Sequence, residues 1–242
     1  MRTSAFAPAP PGHGPWHRQG RLDAILTHLL AGHCHFCGVA TGAADLCPGC
    51  AEDLPWISAA CQHCGLPLAS GASHCASCLS APPPFDRVVA LWRYSDSVEP
   101  LIRRFKLTGD LPAGRLLARL AAATLAARRY PCAGPLVPMP MHWRRLRSRG
   151  FNQSTLIARW LGPPLARRLV MRQRHTPPQR ELDAEARRHN PTGAFCLLRR
   201  PPAAVTLVDD VLTTGASVGE LARCLRAGGT QRVDVVVLAR AI

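Results

Sequence analysis

Residues 205–217 read Val-Thr-Leu-Val-Asp-Asp-Val-Leu-Thr-Thr-Gly-Ala-Ser: an apolar, β-prone run meets two adjacent carboxylates and then a hydroxyl-rich, glycine-containing turn. A helical pattern begins near Val218. No other segment restricts the fold as strongly, because strand, tight turn and helix in that order belong to parallel sheets with helices on their faces. The same order builds a site for a sugar phosphate. Thr213, Thr214, Gly215, Ala216 and Ser217 can aim backbone N–H groups, with the positive end of the following helix, at one phosphate. Asp209 and Asp210 can accept hydrogen bonds from sugar hydroxyls, or reach them through Mg2+, which favours carboxylate and phosphate oxygens. Neither G-x-G-x-x-G nor G-x-x-x-x-G-K occurs, so a dinucleotide fingerprint and a Walker loop are both excluded.

The flanking sequence alternates in the same way. Strands are predicted over 88–94, 136–141 and 233–238, and helices over 98–106, 116–128, 153–161 and 218–226. This predicts an α/β domain over 85–242 with a mostly parallel sheet, whose ligands bind beyond the strands' carboxyl ends. The short strand at 136–141 leads into His142-Trp143-Arg144-Arg145-Leu146-Arg147-Ser148-Arg149, read as an anion-seeking loop. Arg172 and Arg174 open a polar stretch reaching Gly193, whose length suits a mobile lid or a partly disordered segment.

Eight of the eleven cysteines form four C-x-x-C knuckles, Cys34/Cys37, Cys47/Cys50, Cys61/Cys64 and Cys75/Cys78, separated by nine, ten and ten residues. Tetrahedral Zn2+ needs two knuckles brought together, so the set predicts two structural zinc sites in a small domain over 32–80. Pairing neighbours gives two sequential ribbons; a cross-braced arrangement pairs first with third. His33, His35, His63 and His74 sit beside the knuckles and are expected not to be ligands. Cys132, Cys196 and Cys224 are expected to be small buried apolar residues. Residues 1–31 are expected to be disordered or to carry one short helix, and the prolines near residues 82–84 to form a stiff spacer.

No run of eighteen apolar residues occurs and no secretory h-region is legible, which predicts a cytoplasmic chain without a membrane span. In that compartment thiols favour metal over disulfides. The net charge of +15 is uneven: −1 over residues 1–80, +9 over 81–150 and +7 over 151–242. Arg supplies nearly all of it, Lys106 being the one lysine, and guanidinium forks suit phosphate oxygens. Such a surface also suits single-stranded DNA, with Trp92, Trp143, Phe151 and Trp160 as stacking candidates. The near-neutral cysteine-rich half lacks that basic face, and protein docking is its expected role.

The string at 205–217 resembles the phosphoribosyl-diphosphate (PRPP) motif of type I phosphoribosyltransferases. Joined to Arg149-Gly150-Phe151-Asn152-Gln153, Thr176 with Gln179, Arg187 or Arg188 with Asn190, Gly193-Ala194-Phe195 and Leu238-Ala239-Arg240, it looks like the ComF family over about residues 34–242. The chain departs from that pattern at His142-Trp143 and at Asp183. The resemblance implies a zinc ribbon joined to a phosphoribosyltransferase-like domain, and a link to bacterial competence, the uptake and use of external DNA. It implies displacement of diphosphate from C1 of ribose. Asp209 and Asp210 would face the ribose, and residues 213–217 the 5-phosphate. Arg144, Arg145, Arg147 and Arg149 would take the diphosphate with Mg2+, and Arg172 and Arg174 would arrive with a lid. Other DNA-uptake proteins are the partners implied for the ribbons.

Overall fold

A computed structural model describes residues 32–42, 45–69, 72–95, 97–174 and 192–242. The expectations for residues 1–31, and for Thr176, Gln179, Asp183, Arg187, Arg188 and Asn190, fall outside the described residues.

The described strands are, in chain order, β1 (Gly32–His33), β2 (Ala40–Gly42), β3 (Arg87–Arg93), β4 (Leu136–Pro138), β5 (Val170–Arg172), β6 (Phe195–Leu197), β7 (Ala204–Leu212) and β8 (Arg232–Arg240), and four of them form a parallel central sheet in the spatial order β3-β8-β7-β4. Strand alternation divides their side chains between two cores. Leu91, Val208 and Leu238 join Ile102, Phe105, Leu117 and Ile157 on one face. Val88, Leu207, Val235 and Val237 join Leu221 and Leu225 on the other. The first face is covered by Leu111–Ala127 and Gln153–Leu161, the second by Ala216–Ala227. Gly114 lets the first of these helices lie flat on Phe105: a Cβ there would fall 2.3 Å from the ring.

Several boundaries differ from expectation. The segment read as a loop after Met141 is a helix, Trp143–Arg149, with no buried residue and hence no apolar stripe to betray it. The helix predicted over 98–106 is α-helical at Glu99–Arg103 and then widens into a π-helical turn, Arg104–Thr108. A small antiparallel ladder, Val170–Arg172 with Phe195–Leu197, was not expected. Cys132, Cys196 and Cys224 are only partly buried.

The cysteine-rich segment packs against the sheet edge. Ile57 N donates to Leu91 O, Arg93 N to Pro55 O and Val88 N to Gln62 O, each at 2.9 Å, so residues 55–62 run along β3. Trp56 and Trp92 pack together with ring centroids 5.3 Å apart and planes tilted by 50°. At the other edge Leu136 bridges Leu165. Among the described residues no helix is long and apolar enough to cross a membrane.

Candidate functional site

The acids lie inside β7, which runs two residues past them to Leu212. Asp210 is 2% exposed. Its Oδ2 lies 2.8 Å from Lys106 Nζ, and its Oδ1 accepts from Lys106 Nζ at 3.2 Å and from Val211 N at 2.9 Å. Asp209 is half-buried; its Oδ1 accepts from Ser154 Oγ at 2.9 Å and from Asp210 N at 3.0 Å. Burial, joined by the neighbouring Asp210 carboxylate, pushes Asp209 up to about 7, against the opposing pull of Lys106 and the Ser154 hydroxyl. Burial alone would depress Lys106, but the two carboxylates outweigh it and the ammonium is held above its ordinary value. The pair is therefore divided: Asp210 is committed to the Lys106 ammonium, and Asp209, the more exposed of the two, is the acid left to meet a ligand.

After Leu212 the chain bends through Thr213, Thr214 and Gly215 into the helix Ala216–Ala227. Gly215 is the N-cap in the left-handed region at φ +77°, where a side chain would be strained, and it provides no side-chain cap. Thr213 and Thr214 are exposed. Thr214 Oγ1 accepts from Ala216 N at 3.4 Å, and the twelve-residue helix places its positive end at this turn.

The segment 149–154 folds around this point, one task per residue. Gly150 (φ +83°) ends the preceding helix with its N–H on Leu146 O at 2.8 Å. Phe151 packs on Phe105 with centroids 5.7 Å apart. Asn152 caps the next helix by accepting from Ser154 N at 2.9 Å and ties it to the sheet by donating to Met139 O at 3.0 Å. Gln153 accepts from Arg149 Nη1 at 2.8 Å, and Ser154 then meets Asp209.

The arginines separate into two groups. Arg145 and Arg149, four residues apart on one helix face, are half-buried, and the charge of Arg149 is felt at Lys106. Arg172 joins them: burial, with the nearby charge of Arg145, pulls it below the usual guanidinium value while Asp209 opposes both. Arg144 and Arg147 are exposed, Arg144 lying over the Trp143 ring at 5.4 Å. Arg174 is exposed and donates to Thr192 O, with no described contact to the acids. Sequence reasoning missed Lys106 and Ser154. The signal for Lys106 was its isolation, one lysine among twenty-nine arginines. Of the four stacking candidates, Trp92 is fully buried, Phe151 and Trp160 pack against the core, and Trp143 is 59% exposed.

The thiols form two sets, Cys34, Cys37, Cys47 and Cys50, and Cys61, Cys64, Cys75 and Cys78, with the four Sγ of each within 4.8 Å of one another. Neighbouring knuckles are thus paired, and no histidine belongs to either set. Burial raises Cys34 and Cys61, but backbone N–H groups from the knuckles outweigh it and bring them to about 6 and about 7. Cys50 and Cys78 are pushed up by burial and by their sulfur neighbours. A divalent cation relieves that crowding of thiolates, and two four-thiolate sites fit structural Zn2+, with no position left for a reactive water.

Residues 25–79 match the double zinc ribbon domain family. Competence protein F of Haemophilus influenzae is 37% identical over 208 residues, covering 81% of this chain and 90% of that protein. The chain belongs to the ComF family. Relatives of this ComF protein include DNA utilization protein YhgH of Escherichia coli K12, 34% identical over 224 residues with 88% and 99% of the two chains covered. The protein of that name from Salmonella typhi is 35% identical over 206 residues, with 81% and 91% covered.

Proposed function

We propose that this ComF protein binds PRPP and acts as a phosphoribosyltransferase-like protein in the uptake and use of DNA. One observation carries the reading: Asp209, the more exposed acid of the pair, lies on the strand that leads through Thr213 and Thr214 into the glycine-capped N-terminus of the helix Ala216–Ala227. Thr213 to Ser217 hold the 5-phosphate, and Asp209 takes the ribose hydroxyls while Lys106 and Ser154 fix the acids. Arg145, Arg149 and Arg172 compensate the diphosphate charge, and Arg144 and Arg147 serve as its outer screen. Mg2+, held by Asp209 and the diphosphate oxygens, would share that charge. In transfer, the C1–oxygen bond to diphosphate breaks, an acceptor nucleophile bonds to C1, and diphosphate leaves with the electron pair. A reducing cytoplasm, which keeps eight thiols free for zinc, belongs to this reading.

Calorimetry with PRPP and Mg2+ tests it. Asp209→Ala with Asp210→Ala should abolish binding while zinc content stays at the wild-type value; unchanged affinity would remove the site assignment.

A second reading is favoured by Trp143, exposed beside Arg144 on an Arg-rich helix: a non-catalytic factor whose basic half tracks single-stranded DNA and whose pocket is regulatory or vestigial. Oligonucleotide binding across a salt series, with and without PRPP, separates the two. A salt-dependent affinity indifferent to PRPP supports the polyelectrolyte surface, whereas diphosphate release with an acceptor supports transfer. The ribbons expose Val39 and Leu79, at 52% and 71%, and these suit contact with other DNA-uptake proteins.

A further inference from the structure

The last strand ends in a side chain that reaches both halves of the protein. Arg240 Nε donates to the carbonyl of Cys64 at 3.0 Å, and its Nη1 is shared among the carbonyls of Leu212, at 3.0 Å, of Thr213 and of the neighbouring Ala241. Cys64 belongs to the second thiolate set, while Leu212 and Thr213 lead into the candidate phosphate turn.

Peptide geometry gives this arrangement a direction. In a trans peptide the carbonyl and the following N–H point to opposite sides, and no cis bond is present among the described residues. A guanidinium that holds Leu212 O and Thr213 O from behind therefore turns the N–H groups of Thr213 and Thr214 forward. Its permanent charge adds to the positive potential at the turn. Two such donors in a fixed planar fork are available to Arg and not to Lys.

The far end of the clamp is equally fixed. In the knuckle, Gly65 N donates to Cys61 O at 2.8 Å and Gln62 O accepts from Val88 N at 2.9 Å. Gly65 adopts φ +68° and sits so close to β3 that a Cβ would lie 2.8 Å from Val88 Cγ1. The Cys64 carbonyl cannot shift unless the knuckle or the sheet edge moves with it. Among the described residues no hydrogen bond joins the first thiolate set to the turn; the ion pair of Asp45 with Arg119, at 3.4 Å, is exposed and ends on the helix Leu111–Ala127.

We infer that Arg240 is a positioning residue that couples the second thiolate cluster to the phosphate turn. Metal in that cluster fixes the Cys64 carbonyl, Arg240 relays its position, and the amides of Thr213 and Thr214 are held toward the anion. The affinity arm of the test rests on the PRPP reading proposed above; the exchange arm does not.

The experiment compares full-length, zinc-loaded wild type with Arg240→Gln, Arg240→Lys, Cys64→Ser and Cys37→Ser. Metal content, millisecond hydrogen exchange and PRPP affinity are measured for each. Arg240→Gln should keep both metals and wild-type exchange over residues 233–238, yet exchange at least tenfold faster over 213–217 and bind PRPP at least tenfold more weakly. Arg240→Lys should recover little of either. Cys64→Ser should accelerate the turn; Cys37→Ser, which empties the other cluster, should not. Unchanged turn exchange in Arg240→Gln, or equal acceleration by the two cysteine variants, overturns the coupling. If Arg240 variants fold poorly, the comparison of the cysteine variants decides. If wild type shows no PRPP binding while turn exchange responds as expected, the functional reading fails and the coupling stands.

Discussion

Replacing Lys106 with Met keeps the aliphatic stem and deletes the ammonium that faces Asp210. The Asp210 side chain is 3% exposed and lies 2.8 Å from Nζ, so Lys106→Met leaves a buried carboxylate with Val211 N–H as its remaining described donor. Breaking a buried pair from one side costs about 3–5 kcal/mol. The lysine side chain is 34% exposed and the Val211 bond survives, so solvent screening reduces the expected loss to about 2 kcal/mol. At a urea slope of about 2 kcal/mol/M, the unfolding midpoint should fall by about 1 M. A double-mutant cycle isolates the pair: Lys106→Met with Asp210→Asn should be less destabilised than the sum of the singles by at least ~1 kcal/mol. A midpoint that moves by less than about 0.2 M, or an additive cycle, would refute the claim that Asp210 is committed to Lys106.

Asp209 gives the opposite sign. Its folded pKa, about 7, lies above the ordinary 3.8, so the unfolded chain ionises first and stability falls as pH rises from about 4 to 7. Asp209→Asn, which can still accept from Ser154, should therefore stabilise the ligand-free protein increasingly over that interval, levelling near 2 kcal/mol at pH 8; this is about half the full conversion because the group is partly open to water. A gain independent of pH in parallel urea titrations would contradict it. Gly114→Ala should destabilise by about 1–3 kcal/mol despite alanine's helix preference, because the added methyl meets the fully buried Phe105 ring; thermal melts check this. Elemental analysis should find two zinc ions per chain, and one after either Cys37→Ser or Cys64→Ser.

What the sequence disclosed follows the range of the interaction that decides each feature. Knuckle pairing is set by spacings of nine and ten residues, and neighbouring knuckles did pair. The strand–turn–helix unit is likewise local, and its helix started two residues before the expected Val218. Helix Trp143–Arg149 buries no residue and so carries no periodic signal, and nothing in the sequence divides its arginines by face. Lys106 meets Asp210 across 104 residues of chain, and Ser154 meets Asp209 across 55. Those contacts follow from the order of strands in the sheet, which no local pattern encodes. The stacking candidates mislead for a related reason: aromatic residues suit both cores and nucleic acids, and burial alone distinguishes Trp92 from Trp143.

The run of residues 55–62 along β3 has a consequence for how the chain is made and how it breaks. A polypeptide cut at residue 85 would expose the outer row of amides and carbonyls of Arg87–Arg93, together with the indole of Trp92, as an open template for the same strand of another copy. Such a fragment should self-associate on concentration. Synthesis from the N-terminus supplies the shield before the strand it protects, and the order of the two parts along the gene doubles as a safeguard against aggregation.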